Sequence, residues 1–283
     1  TLHPTPAATL IGKSSYAFGE RRFGAVNWLG LWTLFLKEIR RFLKVSFQTI
    51  FAPLISTLLF LLVFIQAMGA RAAVGGGVPY VEFLAPGLIM MAILTNAFAN
   101  SSSSIIIGKV QGSIVDVLMP PLSASELLVA FVAGAACRGV LVAVVTAATC
   151  AVFMAMADTP MRVAHIWAIV YFSTAAALMF GLLGVIGGVW SDKFDQLAAF
   201  TNFVITPLTF LSGTFYAITS LPEPFLTISH FNPVFYLIDG FRYGFTGVAE
   251  APLLIGAVSA AAINAGLAAL CYRLLKTGYK LKS

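Results

Sequence analysis

Charged residues are scarce in this chain of 283 residues. Only 10% are Asp, Glu, Lys or Arg, whereas 59% are hydrophobic, and the mean hydropathy is +0.93. A soluble globular domain usually has about 25% charged residues. The composition therefore excludes a soluble protein and indicates an integral membrane protein.

Cysteine and histidine are also scarce, with three residues of each. Cys137, Cys150 and Cys271 fall inside apolar runs and lack metal-ligand spacing, so we expect neither a disulfide nor a metal site. The histidines are scattered along the chain. Because no cluster of His, Asp, Glu and a nucleophile is apparent, the sequence does not favour a membrane-embedded enzyme.

Two other patterns are missing. No G-x-x-x-x-G-K-[ST] motif occurs, and Gly75-Gly76-Gly77 lacks a following lysine, so we interpret it as a turn and expect no ATP-binding loop in this chain. The acidic residues lie at or near the ends of apolar runs or in loops, whereas an ion-coupled transporter needs carboxylates within the membrane.

The net charge of the chain is +6. Because no basic domain stands outside the apolar runs, this charge indicates membrane topology and not nucleic-acid binding.

Six apolar runs are long enough to cross about 30 Å of hydrocarbon, which requires roughly 18 or more residues. The runs cover 51–69, 83–107, 127–157, 164–190, 197–219 and 252–275. We therefore predict an all-α membrane protein with six transmembrane helices. The third run exceeds one perpendicular crossing, so its first turns are expected to tilt or to project from the membrane.

The segment before the first span has two parts. Residues 1–24 are polar and aperiodic, which predicts a flexible cytoplasmic tail. Over residues 27–45, apolar side chains recur at three- and four-residue steps opposite Lys37, Arg41 and Lys44, which predicts an amphipathic helix along the inner leaflet. A generic anchor and a helix that contacts a cytoplasmic partner both fit this pattern. Residues assigned to this interfacial helix are Trp28, Trp32, Lys37, Glu38, Arg40 and Arg41.

The distribution of cations predicts the orientation. Most of the 17 lysines and arginines lie before span one, after spans two and four, and at the C-terminus, which places these regions and both termini in the cytoplasm. Arg71, Arg162 and Arg242 fall on the opposite side. Arg138 falls inside span three, where it needs a partner or must snorkel.

The stretch from residue 206 to 247 interrupts the membrane pattern with prolines, glycines and aromatic residues. A helix that starts near Leu197 is expected to reach Gly213 and to break near Pro222, followed by a short amphipathic piece. Irregular backbone at bilayer depth needs protein or water partners, so we predict a packed, broken or re-entrant segment between spans five and six. Asp239 and Arg242 are three residues apart, and an exposed ion pair is expected between them.

This order of motifs resembles the ABC-2 family of export permeases, and the resemblance covers nearly the whole chain after Trp28. The ending FRYGF-x-G is most similar to the YadH-type members of that family. The matching motifs are Leu211-Ser212-Gly213, Phe215-Tyr216, Leu221-Pro222, Asn232-Pro233, Ile238-Asp239-Gly240-Phe241-Arg242, Lys37-Glu38-Ile39-Arg40-Arg41-Phe42, and the run from Lys109 to Pro121.

Val110, Ile114, Val117 and Leu118 recur at helical spacing before Pro120-Pro121, which predicts a short helix with one apolar face, and Ser123 is the candidate N-cap of the next helix. The resemblance implies that this short helix, between spans two and three, is a coupling helix. It also implies an outer gate in the re-entrant segment. An ordinary surface turn remains the alternative for the coupling helix. Residues assigned to coupling are Lys109, Gln111, Asp116, Met119, Pro120, Asp192 and Lys193; those assigned to the outer gate are Phe215, Tyr216, Asn232, Pro233, Asp239 and Arg242.

Polar and aromatic residues within the spans are candidates for a transport pathway at a seam between two copies of the chain. Hydrogen bonds between helices, worth about 0.6 kcal/mol each, explain the polar residues equally well. Gly184 and Gly188 form a G-x-x-x-G motif that predicts close helix packing. Candidate pathway residues are Asn96, Asn100, Thr201, Asn202, Phe203 and Phe210.

The resemblance implies the permease subunit of an ATP-driven exporter in the bacterial inner membrane. Such a subunit pairs with a second copy of itself and with two ABC ATPase subunits, which hold ATP and Mg²⁺, while this chain needs no cofactor. The apolar seam suits an amphipathic or lipid-like cargo moved out of the cytoplasm or inner leaflet. The alternative hypothesis is an ion-coupled secondary transporter.

Overall fold

The computed structural model describes residues 26–69, 72–74, 77–156, 159 and 161–281. The predicted tail at 1–24, Arg71, and the first two glycines of the predicted turn lie outside the described residues. The helices are α1 Trp28–Lys44, α2 Ser46–Met68, α3 Tyr80–Val110, α4 Ile114–Leu118, α5 Ala124–Met156, α6 Ile166–Trp190, α7 Phe194–Phe200, α8 Thr206–Phe210, α9 Glu223–Phe231, α10 Pro233–Thr246 and α11 Leu253–Thr277; two short antiparallel strands are β1 Ala73–Val74 and β2 Val78–Pro79.

Within the described part of the chain, five helices are long and apolar enough to cross a membrane. They are α2, α3, α5, α6 and α11, which fall on predicted spans one, two, three, four and six. The molecule is thus mostly helical, as expected for an all-α membrane protein. Helix α5 begins three residues before the predicted start of span three, directly after Ser123.

The predicted fifth span, 197–219, has a different form. Helix α7, a π-helical turn at Thr201–Ile205 and α8 follow one another without a break and end at Phe210. The predicted extension of this helix to Gly213 was wrong, because the chain turns at 211–216 and Gly213 adopts a φ of +74°, a conformation that suits glycine and ends helices. At 1.5 Å per residue the run is about 25 Å long, shorter than the hydrocarbon layer.

The segment after this turn is a chain of short helices. A 3-10 turn at Ile218–Ser220 precedes α9, which has Pro222 as its N-cap residue. Helix α10 then begins at Pro233, where the Asn232 side chain accepts a hydrogen bond of 3.0 Å from the Val234 backbone. The prolines fit these helix starts because a missing N–H costs nothing there. The segment is therefore a broken helical hairpin.

Helix α3 lies at the centre of the bundle and is buried along most of its length. Its largest interface is with α6, and Gly184 and Gly188 make this interface possible. A Cβ atom at Gly184 would come within 2.5 Å of the Phe98 carbonyl oxygen, and one at Gly188 within 2.9 Å of the Ile105 Cβ. The G-x-x-x-G motif thus packs α6 against α3, as predicted.

Replacing Gly184 with Ala should destabilise the protein, because the added methyl group must push α6 away from α3. Overpacking of this kind costs about 1–3 kcal/mol, against a gain in helix propensity of up to about 1 kcal/mol. Gly266→Ala on α11 is a matched control, since no atom lies within 4 Å of the position that its new methyl group would take. Thermal unfolding in detergent should show a lower midpoint for Gly184→Ala alone; equal midpoints for both variants would contradict close packing.

Candidate coupling surface and membrane cavities

The segment assigned to coupling is split into two helices. Helix α3 ends at Val110, Gly112 has a φ of +72°, and α4 follows. Ile114 and Val117 are buried, but Val110 is 51% exposed, so the predicted single apolar face that included Val110 was wrong. The glycine changes the chain direction, so Val110 and α4 do not share a face. Gln111, Asp116, Met119 and Pro120 are exposed around α4.

Three residues join this segment to the interfacial helix α1. Ser123 Oγ accepts from the Glu126 backbone at 3.3 Å, and the Glu126 carboxylate accepts from the Ser123 backbone at 2.7 Å. This reciprocal pair is a capping box, so Ser123 is the predicted N-cap. The other Glu126 oxygen accepts from the Asn27 backbone at 2.6 Å, one residue before α1. A buried carboxylate therefore fixes the start of α1 to the start of α5.

A cleft of about 320 Å³ lies between α1 and α4. Lys37 of α1 and Asp116 of α4 place one charge of each sign on its walls, and both side chains are exposed. Leu29, Leu34 and Pro120 provide apolar surface between them. The cleft therefore combines residues that the sequence assigned to the interfacial helix with residues assigned to coupling.

The second pair of coupling residues, Lys109 and Asp192, forms an ion pair of 3.1 Å. Lys109 also donates to the Val189 and Ser191 carbonyl oxygens, and Lys280 binds the other Asp192 oxygen at 3.1 Å. Hydrogen bonds from Lys280 and Lys109 hold the pKa of Asp192 below its usual value. This carboxylate joins the ends of α3 and α6 to the segment after α11. Lys193 is exposed beside it.

The interfacial helix carries a second buried carboxylate, Glu38. Its oxygens accept from Ser104 at 2.6 Å and from Arg41 at 3.0 Å. Arg41 also donates to Ser103 Oγ and to the carbonyl and side-chain oxygens of Asn100. The prediction that Arg41 lies on an outer cationic face of α1 with Lys37 and Lys44 was wrong, because these groups of α3 bind the guanidinium on the inner side of the helix. Trp28 and Trp32 are more than half exposed, and Lys37 and Arg40 are exposed.

A cavity of about 740 Å³ lies beyond this network, between α1, α2, α3 and α5. Two arginines line it, Arg41 and the span-three Arg138, together with the predicted pathway residue Asn96. Asn96 donates only to the Ala92 carbonyl of its own helix. The remaining lining is mainly apolar or hydroxyl-bearing, with Phe60 and Leu88 at the far end. Asn100, in contrast, is fully buried within the Arg41 network.

A second cavity of about 460 Å³ lies beside the first along α3, against α7, the π-helical turn and α8. The predicted pathway residues Thr201 and Phe210 line it. Asn202 and Phe203 do not; both are exposed, Phe203 by 81%. The two cavities share one strip of α3, with residues at four-residue intervals on one helical face. The shared residues are Met91, Thr95, Ala99 and Ser103.

The outer-gate residue Arg242 is buried, with 3% exposure. It donates to the carbonyl oxygens of Phe83 at 3.2 Å and Gly213 at 2.7 Å, and its guanidinium lies 3.6 Å from the centre of the Phe83 ring. Its carboxylate neighbour is Glu250, at 3.7 Å. The prediction of an exposed ion pair between Asp239 and Arg242 was therefore wrong, because the turn after α10 brings Glu250 back beside the guanidinium.

Asp239 has another role in the same region. Its carboxylate accepts from the Glu250 and Ala251 backbone N–H groups at 2.9 Å each, which fixes the turn between α10 and α11. Glu250 in turn accepts from the Ile218 backbone at 3.2 Å. Asp239, Arg242 and Glu250 thus connect four parts of the chain. The arrangement is that of a fixed anchor.

The other outer-gate residues support the turn after α8. Phe215 is buried and its ring centre lies 4.9 Å from that of Phe64 and 5.4 Å from that of Phe210. Tyr80 donates a hydrogen bond of 2.9 Å to the Phe215 carbonyl. Tyr216 is partly buried, and Pro233 opens α10. Asn232 donates to the Leu208 carbonyl at 2.8 Å and thereby joins α8 to the start of α10.

Several residues that connect these sites were missed by the sequence analysis. Asn27, Glu126, Glu250 and Lys280 each bridge segments that are distant in the chain. Glu126 had a usable signal, because Ser123-x-x-Glu126 is the capping-box pattern. The other three had none, since their partners come together only through the fold.

The chain belongs to the ABC-2 type transporter family. The family model matches residues 30–246, which include most of the interfacial helix, both cavities, Asp239 and Arg242. This match covers more than half of the chain, and it confirms the family that the motifs indicated.

The chain is 35% identical over 257 residues to the inner membrane transport permease YadH of Escherichia coli K12, covering 90% of this chain and 98% of that protein. It is 26% identical over 224 residues to nodulation protein J of Rhizobium leguminosarum bv. viciae, covering 77% of this chain and 82% of the relative. Nodulation protein J of Sinorhizobium fredii is 23% identical over 233 residues, with 78% and 84% covered. The similarity thus extends over nearly the full length of YadH.

Replacing Arg242 with Ala should destabilise the protein, since Glu250 would lose its cation and two buried carbonyl groups would lose their donor. Removing one partner of a buried pair costs about 3–5 kcal/mol. The exposed Arg162, replaced in the same way, is the control for loss of an arginine on the predicted outer side. Yield and thermal midpoint should fall for Arg242→Ala only, and normal values for that variant would exclude an anchoring role.

The contacts of Asp192 with Lys109 and Lys280, called here the Asp192 hub, should weaken in acid. Because its pKa is lower in the folded protein, the stabilisation is present above the ordinary carboxyl pKa and is lost as the pH falls through the folded value. Hydrogen exchange at Tyr279 and Leu281 should therefore rise on acidification in the native protein, relative to the intrinsic rate, while Asp192→Asn should show high exchange throughout. Lys193→Gln is the control beside it. Identical exchange in Asp192→Asn and the native protein at neutral pH would contradict the hub.

Proposed function

We propose that this chain is the permease subunit of an ATP-driven exporter that moves an amphipathic or lipid-like molecule out of the cytoplasm or the inner leaflet. Membership of the ABC-2 type transporter family carries this proposal. Family membership implies an ABC ATPase partner, and the described residues include no Walker motif. The name of the similar YadH protein supports a location in the inner membrane.

The cleft between α1 and α4 is the proposed docking surface for the ATPase. It lies beside exposed Met119 and Pro120, and it has Lys37 and Asp116 on opposite walls. A partner that presents complementary charges would be oriented by them. Because most of the predicted cytoplasmic cations lie at this end, we place the ATPase there.

A push on α4 would reach the membrane by two routes. Ile114 and Val117 pack against the bundle, and the Ser123–Glu126–Asn27 contacts tie the same region to α1 and α5. The Glu38–Arg41 network then connects α1 to α3. Rigid connections of this kind transmit a displacement as movement of whole helices.

The proposed pathway is the face of α3 that carries the strip shared by the two cavities. Helices α2 and α7–α8 flank this strip, and exposed apolar residues such as Phe203 and Ile55 lie on them. A second copy of the chain placed against this face would enclose a seam with an apolar and hydroxyl lining. Changing the ratio of open to closed seam from about 1:99 to 99:1 needs roughly 5.5 kcal/mol of differential binding. We propose that nucleotide-dependent closure of the ATPase subunits supplies this free energy.

The test uses the native chain purified from its own membrane together with a bound ATPase. Reversing Asp116 to Arg should weaken retention of the ATPase about ten-fold and reduce chain-dependent ATP hydrolysis, because the cleft loses its acidic wall. Lys37→Glu should have a similar effect on the opposite wall. Arg162→Glu, on the predicted outer side, should leave both measurements unchanged.

Two results would contradict the proposal. One is transport of a cargo by the purified chain in liposomes without any ATPase. The other is an unchanged level of ATPase binding and hydrolysis in both cleft variants, at normal expression.

A further inference from the structure

The larger cavity is lined by a cation, Arg138, that no described acidic residue neutralises. Arg41 and Arg138 both line this 740 Å³ space, and no Asp or Glu lines it. The nearby Glu38 carboxylate is already paired with Arg41 and Ser104. Among the described residues Arg138 has no ion-pair partner, and its buried Nε has no hydrogen-bond acceptor.

Arg138 is partly buried. A cation that is partly withdrawn from water and has no acidic partner costs free energy, which a bound anion would recover. Thr49, which also lines the cavity, has a buried hydroxyl without a partner. The cavity lining thus carries a net positive charge, and two of its residues each have a buried donor without a partner. This chemistry fits an anion with several acceptor oxygens.

The cavity is polar at one end and apolar at the other. On α3 its lining runs from Leu88 to Ile107, a distance of about 28 Å along the helix axis. Ser103 and Arg41 lie towards the end formed by α1, the helix predicted to follow the inner leaflet, while Leu88 and Phe60 lie towards the other end. Such a space fits a molecule that has an anionic head and an apolar body.

We infer that this cavity binds an amphiphile whose phosphate-bearing head has a net negative charge, with Arg138 as the residue that contacts the head and the Phe60–Leu88 end as the site of its apolar part. The inference rests on the proposed function, since it specifies the cargo class as anionic. Free phosphate has the same head chemistry but would leave the apolar end empty.

Binding can be measured without the ATPase, so its failure would leave the ATPase test of the proposed function intact. The purified chain is titrated with phosphatidylglycerol, with phosphatidylcholine of the same acyl chains and with inorganic phosphate, and bound molecules are counted by native mass spectrometry. Phosphatidylglycerol should bind about ten-fold more tightly than phosphatidylcholine, because its head has a net negative charge, whereas the choline cation cancels the phosphate charge and is repelled by Arg138. Inorganic phosphate alone should bind more weakly than phosphatidylglycerol.

Arg138→Gln should remove the preference for phosphatidylglycerol, and Arg138→Lys should keep most of it, because the charge is retained. Arg273→Gln removes an exposed arginine of α11 outside the cavity and serves as the matched control. Should Arg138→Gln fold poorly, Ala52→Trp offers a second route. Ala52 is an exposed residue of the cavity wall, so the larger side chain should occupy the space and reduce binding.

Four results would overturn the inference. They are equal binding of the two lipids, an unchanged preference in both Arg138→Gln and Ala52→Trp, and binding of inorganic phosphate as tight as that of phosphatidylglycerol. The fourth is a shift from dimer to monomer mass in Arg138→Gln, which would show that a second copy of the chain fills the cavity.

Discussion

The close contact between α3 and α6 determines where the remaining helices lie. Inside a bilayer the hydrophobic effect does not drive helices together, because lipid tails are as apolar as the side chains. Helix association there depends on close packing and on hydrogen bonds. Gly184 and Gly188 supply the shape by allowing the backbone of α6 to approach α3. With one side of α3 covered in this way, α5 and α10 complete its burial, and the strip that begins at Met91 remains for the two cavities.

Charged groups at the two ends of the bundle follow a common rule. At one end Arg41 is surrounded by the acceptors of Glu38, Asn100 and Ser103, and at the other Arg242 lies among backbone carbonyls near Glu250. Both cations hold segments together that are far apart in the sequence. Arg138 departs from this rule because it has no such acceptors among the described residues. Arg41 and Arg242 fix the fold, whereas Arg138 is available to a ligand.

The long helices could be predicted from the sequence because length and hydropathy are local properties. The break at Gly213 could be placed only roughly, since an apolar run does not reveal where its helix ends. The partners of buried charges were harder to predict. Arg242 meets Glu250 because the chain folds back after α10, and Arg41 turns inward because Asn100 and Ser103 of α3 face it. Whether the candidate residues act in coupling, gating or transport depends on partners that one chain does not contain.

Met91 lies on the strip of α3 that borders both cavities, and it lines both of them. Methionine is unbranched and has three rotatable bonds, so it changes rotamer at low energetic cost. A change of its rotamer would therefore alter the shape of both spaces at once, without any displacement of the backbone.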